Sequence, residues 1–224
     1  QIYFDFSGYI DMATGSALIL NVKLPQNFNS PYKSKSIIDF WRRWHITLSN
    51  FITNFLYFPI INKFKNPTLF KSLLVIIIVM TIAGIWHGPR WTYLIFGLIH
   101  GVAISINYLF RKTEIKLNKI ISWVICFFTI NLSFVFFIPS DLSTSVTILE
   151  KMFFLNNSIY ENFINIDQNH ILLVLLSFFV VLFFINSNEF FIKKNPFNNY
   201  IFLILLIFLS IFFFTEEKFI YFDF

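Results

Sequence analysis

The chain has 224 residues, of which 57% are hydrophobic and 13% charged, with 34 Phe and a formal net charge of +5; its mean hydropathy is +0.69. A soluble domain carries about a quarter charged residues, so composition excludes a water-soluble globular protein and points to an integral membrane protein. The single cysteine, Cys126, allows no intrachain disulfide and reads as a small core or lipid-facing residue.

From the N-terminus, the chain starts at Gln1 without Met and enters directly into "QIYFDFSGYIDMATGS". No charged segment leads into an apolar one there, so no signal peptide is expected; the start reads instead as that of a piece whose N-terminal part is absent. "VKLPQNFNSPYKSKS" is a polar loop with two prolines, and Ser36 followed by Asp39 resembles a capping box that opens a helix. Residues 37–57 have a helical period. Ile38, Trp41, His45, Leu48, Ile52 and Leu56 form one stripe, and Asp39, Arg43, Asn50 and Asn54 lie opposite. An amphipathic helix is expected, lying in the membrane interface or packed obliquely on a bundle, with His45 central to its apolar face.

A membrane-spanning helix needs roughly 20 mostly apolar residues. Five such spans are predicted, at about 70–87, 92–110, 120–139, 170–187 and 199–214, with a weaker interfacial helix at 142–155. The apolar runs are long and do not alternate, which favours helix over strand. The fold class is therefore all-α, a polytopic transmembrane bundle.

Loop charges orient it. Lys63, Lys65 and Lys71 precede the first span, and Arg111, Lys112, Lys116 and Lys119 outnumber Glu114 after the second. These loops belong on the cytoplasmic side. Asp141, Glu150, Glu161 and Asp167 against Lys151 put the next loop outside; Lys193 and Lys194 return the chain inside, and Glu216, Glu217 and Asp223 end it outside. The five spans and the five loops agree, and a multi-pass protein of the cytoplasmic membrane is expected.

Residues 84–91 read "GIWHGPRW", and the fifteen residues 72–86 before the histidine are uncharged. A helix carries His87 about 24 Å along its axis from Lys71, into the outer half of the bilayer. It reads either as a helix-end histidine at headgroup level or as a functional intramembrane group. Gly84 and Gly88 bracket His87, and Gly97 and Gly101 bracket His100. Small residues four apart let helix backbones approach closely, so one seam can gather both histidines. His100 reads as a packing residue or as support for another group, and His170 beside Asn169 as interfacial.

In "DFWRRWHITLS", Trp41 and Trp44 read as interfacial anchors, with Arg42 and Arg43 on anionic lipid. Alternatively, the arginines meet the phosphates of a cytoplasmic donor. The four histidines are 42, 13 and 70 positions apart without ligand spacing, so no metal site is expected. Nucleophile-elbow, Walker and Rossmann patterns are missing, and nothing suggests nucleic acid. Histidine acid–base chemistry in a membrane, or transport, remains.

The stretches "YFDFSGYIDMATG", "LPQNFNSPYKSKSIIDFWRRWHITLS", "LYFPI", "GIWHGPRWTYLIFGLIHG" and "FIYFDF" occur here in order. Together they resemble the membrane-bound O-acyltransferase (MBOAT) family, in its bacterial branch of alginate O-acetyltransferase-like proteins. The resemblance implies that residues 1–224 are the C-terminal part of one MBOAT-type membrane domain. It implies transfer of an acyl group, from acetyl-CoA or an acyl-carrier thioester in the cytoplasm, through a helical tunnel to hydroxyls of an exported or cell-envelope polysaccharide. No bound cofactor is implied, and a periplasmic or extracellular acetyltransferase is a possible partner.

By resemblance, His87 of the W-H-G motif is the catalytic base, and His45 of R-W-H-x-[ST]-L-S is the second catalytic residue, lining the donor side. Asp5 and Asp11 match the family's aspartates. Thr53 and Asn54 stand where the family has an Arg-Asp pair, and "INKFKN" replaces a Gly-Gly-Asn-Arg-like turn. The alternatives from other classes are a transporter or export-complex subunit with a histidine proton relay, and an inactive scaffold that recruits an acetyltransferase.

Overall fold

The computed structural model describes residues 1–153 and 168–192, and no strand occurs among them. The chain divides into two units, one of Gln1–Asn29 with Phe184–Phe224 and one of Ser30–Phe183.

The first unit opens on helix α1, Ile2–Ile19, which the sequence reading passed over. Its Asp5, Ser7, Gly8 and Asp11 interrupt any apolar run, and no cap marks its start. Ile2 and Phe6, one turn apart, are buried. The Phe28 ring meets Phe6 edge-on at 5.1 Å and Tyr3 at 5.8 Å. Within the same unit, Ser187 Oγ donates to Asp11 Oδ1 at 3.0 Å and Asn186 Nδ2 to Asn29 Oδ1 at 3.1 Å. Asn186 also caps the short helix Ser187–Ile192 by accepting from Glu189 N at 2.9 Å.

The second unit begins with α2, Ile37–Trp41. Ser36 caps it as the sequence suggests, its Oγ accepting from Asp39 N at 3.1 Å. The continuous helix expected over 37–57 is broken. The chain turns at residues 42–45 and restarts as α3, Ile46–Ile52. A wide π turn, Thr53–Tyr57, follows and then α4, Phe58–Ile61. The break has a local cause: His45 has φ 43° and ψ 56°, a left-handed conformation that cannot continue the helix. The π turn runs into Pro59, whose missing N–H leaves the carbonyl four residues back without its α-helical donor.

The break also moves the buried face. Ile37, Phe40 and Trp44 are buried, while Trp41 and His45 are only half-buried. Trp44 packs at 5.5 Å on Phe40 and at 5.4 Å on Phe134, so it is a core residue and not the interfacial anchor expected. Of the two arginines, Arg43 Nε pairs with Asp39 Oδ1 at 2.9 Å and Arg42 is exposed.

Two long helices form the centre. Helix α5, Leu69–Trp86, starts at Thr68, whose hydroxyl accepts from Lys71 N at 3.3 Å. Helix α6, Trp91–Phe110, follows a four-residue turn. Both are long and apolar enough to cross a membrane. Only 17% and 33% of their apolar windows are buried, which is not how the core helix of a soluble protein behaves. On α5, Phe70, Leu74, Ile78, Ile82 and Trp86 leave an exposed apolar stripe at four-residue spacing. Its other side packs onto α3 and α4 through Ile52, Ile61, Val75 and Val79.

The seam between α5 and α6 is backbone against backbone. A Cβ on Gly84 would lie 2.9 Å from Gly97 Cα, one on Gly97 2.9 Å from Thr81 Cα, and one on Gly101 2.7 Å from Ile77 Cα. Real Cβ atoms do not come this close, so hydrogen is the only side chain these positions accept. Ser105 Oγ, donating to Leu73 O at 3.4 Å, adds a bond across the same seam.

Helix α7, Lys119–Phe134, has sixteen residues, so it ends short of the span expected to reach 139. Near its end Asn131 Nδ2 donates to Phe127 O at 2.8 Å and Ser133 Oγ to Ile130 O at 2.7 Å, competing with the backbone ladder. Pro139 then disfavours helix at Ile138. Helix α8, Leu142–Met152, occupies the place of the weaker interfacial helix and is capped by Asp141, which accepts from Thr144 N at 2.8 Å. The hydroxyls and amides of Ser143 and Thr144 hold the fully exposed Asp141 carboxyl down to about 2. Helix α9, Gln168–Phe183, covers most of the fourth expected span, with His170 in its first turn. The fifth, at 199–214, lies outside the described residues, as does the acidic tail.

Candidate functional site

The turn between α5 and α6 places His87. The last helical bonds tighten there, with His87 N donating to Gly84 O at 3.1 Å and Gly88 N to Ile85 O at 3.0 Å. Gly88 then takes φ 152°, a value that side-chain-bearing residues rarely adopt, and a Cβ there would meet the Tyr93 ring at 3.0 Å. Glycine after this histidine is thus a conformational requirement. It lets the chain leave α5 while the imidazole turns back over the start of α6.

The His87 ring sits among aromatic rings. Phe137 meets it edge-on at 5.0 Å, with Trp86 at 5.2 Å, Tyr93 at 6.0 Å and Phe96 at 6.4 Å. Among the described residues, no group hydrogen-bonds either ring nitrogen. With no described group on either nitrogen, the half-buried imidazole has a lone-pair nitrogen available to accept a proton from a bound molecule.

His45 lies close enough to His87 that a charge on His87 opposes a proton on His45. Burial, the larger effect, and this repulsion together lower its pKa to about 4. Its left-handed backbone is a second unusual feature. Histidine visits that region more readily than most residues, yet a non-glycine residue there still costs about 1–2 kcal/mol. A glycine would hold this turn at less strain.

This gives a test. His45→Gly is expected to hold stability at pH 7 within about 1 kcal/mol of wild type, strain relief offsetting lost packing. In the wild type, the unfolded chain takes up a proton at His45 near 6.5 and the folded chain only near 4. Stability from this group is therefore complete above pH 6.5 and lost as the pH falls towards 4. Thermal unfolding in detergent at pH 7 and pH 5 should show wild type losing about 2 kcal/mol more than the glycine variant.

His100 is placed differently. It is fully buried on the packed stripe of α6, and both of its nitrogens are engaged. Trp41 Nε1 donates to His100 Nδ1 at 3.2 Å, and Ser133 Oγ lies 2.8 Å from Nε2. Phe96 links the two histidines, 4.6 Å from His100 and 6.4 Å from His87. The glycine seam thus gathers His87 and His100 around one phenylalanine, while His45 approaches from the turn after α2. Sequence reasoning named the histidines but not Phe96, Ser133 or Phe137. Their distance along the chain left no local signal.

Among the described residues, no group of three His, Cys, Asp or Glu side chains is arranged to hold a metal ion. The arrangement offers one imidazole open to a ligand, a second nearby that burial keeps neutral, and an apolar aromatic wall.

Comparison with known proteins matches residues 1–147 to the model of the MBOAT, membrane-bound O-acyltransferase family. A peptidoglycan O-acetyltransferase of Helicobacter pylori is 48% identical over 161 residues, covering 70% of this chain and 30% of that protein. A probable alginate O-acetylase AlgI of Azotobacter vinelandii is 37% identical over 154 residues, covering 68% of this chain and 30% of that protein. A teichoic acid D-alanyltransferase of Streptococcus thermophilus is 32% identical over 124 residues, covering 53% of this chain and 31% of that protein. The chain spans about 30% of the length of the curated relatives it matches.

Proposed function

Because this chain belongs to the membrane-bound O-acyltransferase family, we propose that it forms part of an O-acetyltransferase of the bacterial cytoplasmic membrane. In this reading it crosses the membrane five times, as the C-terminal part of a single catalytic domain. The donor is a cytoplasmic thioester, acetyl-CoA or an acylated carrier. The acceptor is a hydroxyl of an exported or envelope polysaccharide, and a periplasmic or extracellular acetyltransferase is a candidate partner. Relatives named for peptidoglycan and alginate acetylation support this class of acceptor.

The observation that carries the reading is the open imidazole of His87. Three other histidines are present, and His100, also in the central helices, is spent on internal hydrogen bonds. A neutral His87 nitrogen accepts the proton of the acceptor hydroxyl as its oxygen attacks the thioester carbonyl. The tetrahedral adduct collapses, the carbon–sulfur bond breaks, and the proton passes from the imidazolium to the departing thiolate. Product ester and free thiol leave, and His87 is neutral again. The aromatic wall excludes water, which would otherwise compete for the acyl group. His45 completes the site from the donor side, its low proton affinity keeping a second positive charge away from His87.

The test is transfer of radiolabelled acetyl groups to polysaccharide in membranes carrying the protein. Label that reaches the glycan only with donor present and His87 intact supports the reading. Donor-independent, proton-coupled uptake of a solute would replace it with the transporter reading.

A further inference from the structure

The tautomer of His100 follows from its partners. An indole N–H only donates, so Nδ1, which faces Trp41 Nε1 at 3.2 Å, is the acceptor. Nε2 therefore carries the proton and donates to Ser133 Oγ at 2.8 Å. The Ser133 hydroxyl in turn donates to Ile130 O at 2.7 Å. The chain Trp41 to His100 to Ser133 to Ile130 is satisfied in one direction, and all of its members but the half-buried Trp41 are fully buried.

It joins three elements that are far apart in sequence. The Trp41–His100 bond spans 59 residues and the His100–Ser133 bond 33. Trp41 is the last residue of α2, immediately before the turn that ends in the left-handed His45. Its indole stands edge-on to the imidazole at 4.9 Å. On the other side, His100 contacts Phe96 at 4.6 Å, and Phe96 borders both His87 and Phe137. Apolar packing alone would not require a polar side chain here, since a leucine would fill a similar volume without two directed bonds.

We propose that His100 is a positioning residue. Held as the neutral Nε2–H tautomer, it clamps Trp41 and so the turn bearing His45, and it sets Phe96 against His87. It takes no part in proton transfer itself, because both of its nitrogens are occupied. The proposal rests on the function argued above only for its kinetic consequence; the clamp itself is a structural claim.

Magic-angle-spinning NMR of the bilayer-embedded protein with isotope-labelled histidine tests the clamp without turnover. His100, assigned with His100→Asn, is expected to show a protonated Nε2 and an unprotonated Nδ1. In Ser133→Ala, which removes the His100 and Ile130 bonds of that hydroxyl, and in Trp41→Phe, which removes the indole donor but keeps an aromatic ring, the His45 resonances are expected to move. A protonated Nδ1, a tautomer mixture, or His45 resonances unchanged in both variants would overturn the clamp. In the acetyl-transfer assay, Trp41→Phe should lower kcat about tenfold at unchanged KM. His100→Asn, which retains an acceptor for Trp41, should keep more activity than His100→Leu. Wild-type kcat in His100→Leu would overturn the kinetic role. A wild-type protein without transfer would sink the proposed function, with the NMR result still deciding the clamp.

Discussion

His87→Ala is expected to lower acetyl transfer by about 10²- to 10⁴-fold, the usual contribution of a positioned general base, with the protein still inserted. Insertion should survive because the apolar run of α5 ends at Trp86 and His87 lies in the turn beyond it. Folding should survive because, among the described residues, no hydrogen bond depends on the ring. Truncation leaves a gap against Phe137 and Phe96, whose rings lie 5.0 and 6.4 Å away, so a small loss of thermal stability is expected. The decisive comparison is with His87→Gln, which restores bulk and polarity but cannot take up a proton near neutral pH. Glutamine should recover the stability and none of the transfer. Transfer recovered together with stability would make His87 a packing residue.

The second large effect concerns the glycine seam. Gly97→Leu is expected to prevent α5 and α6 from closing, because even a Cβ at this position would stand 2.9 Å from Thr81 Cα. Backbone cannot yield as a flexible side chain can, so the helices must separate along their length. Overpacking of this kind costs about 1–3 kcal/mol where neighbours can relax and more where they cannot. Low yield of folded protein in detergent and loss of transfer are expected together. Gly15→Ala is the matched control. No atom lies within 4 Å of its Cβ position, so its thermal midpoint should equal that of wild type or rise slightly. Equal behaviour of the two variants would mean that the seam does not hold the helices.

The pair α5 and α6 was legible in the sequence because two local signals coincided there. Long uncharged runs end in basic residues or proline, and glycines recur every four residues. Either signal alone is ambiguous, but together they gave the helices, their ends and their contact. The region of residues 37–57 shows the opposite. Its helical period is genuine, but periodicity cannot detect a single residue that adopts φ 43°, and the broken ladder rotated the buried face onto Phe40 and Trp44. Trp41 and Trp44 look alike in sequence as interfacial aromatics. In the fold one donates to His100 and the other fills the core.

The candidate site was half legible. His87 stood out because a titratable group beside a membrane span is unusual. Its aromatic wall did not, because in a chain with 34 Phe no single one is conspicuous. His100 seemed to have no polar neighbour because both partners come from distant segments. Helix α1 was missed for a related reason, since its carboxylates and small residues disguise it and its contacts come from Phe28 and residues near 187.

The most direct test of the central claim uses sealed vesicles with the protein in one orientation. Radiolabelled acetyl donor is placed on the cytoplasmic face, and polysaccharide acceptor only on the other. The expected result is label in ester linkage to the glycan, present in wild type and lost in His87→Ala and His87→Gln alike. Label crossing to the acceptor at wild-type rate in either variant would contradict it.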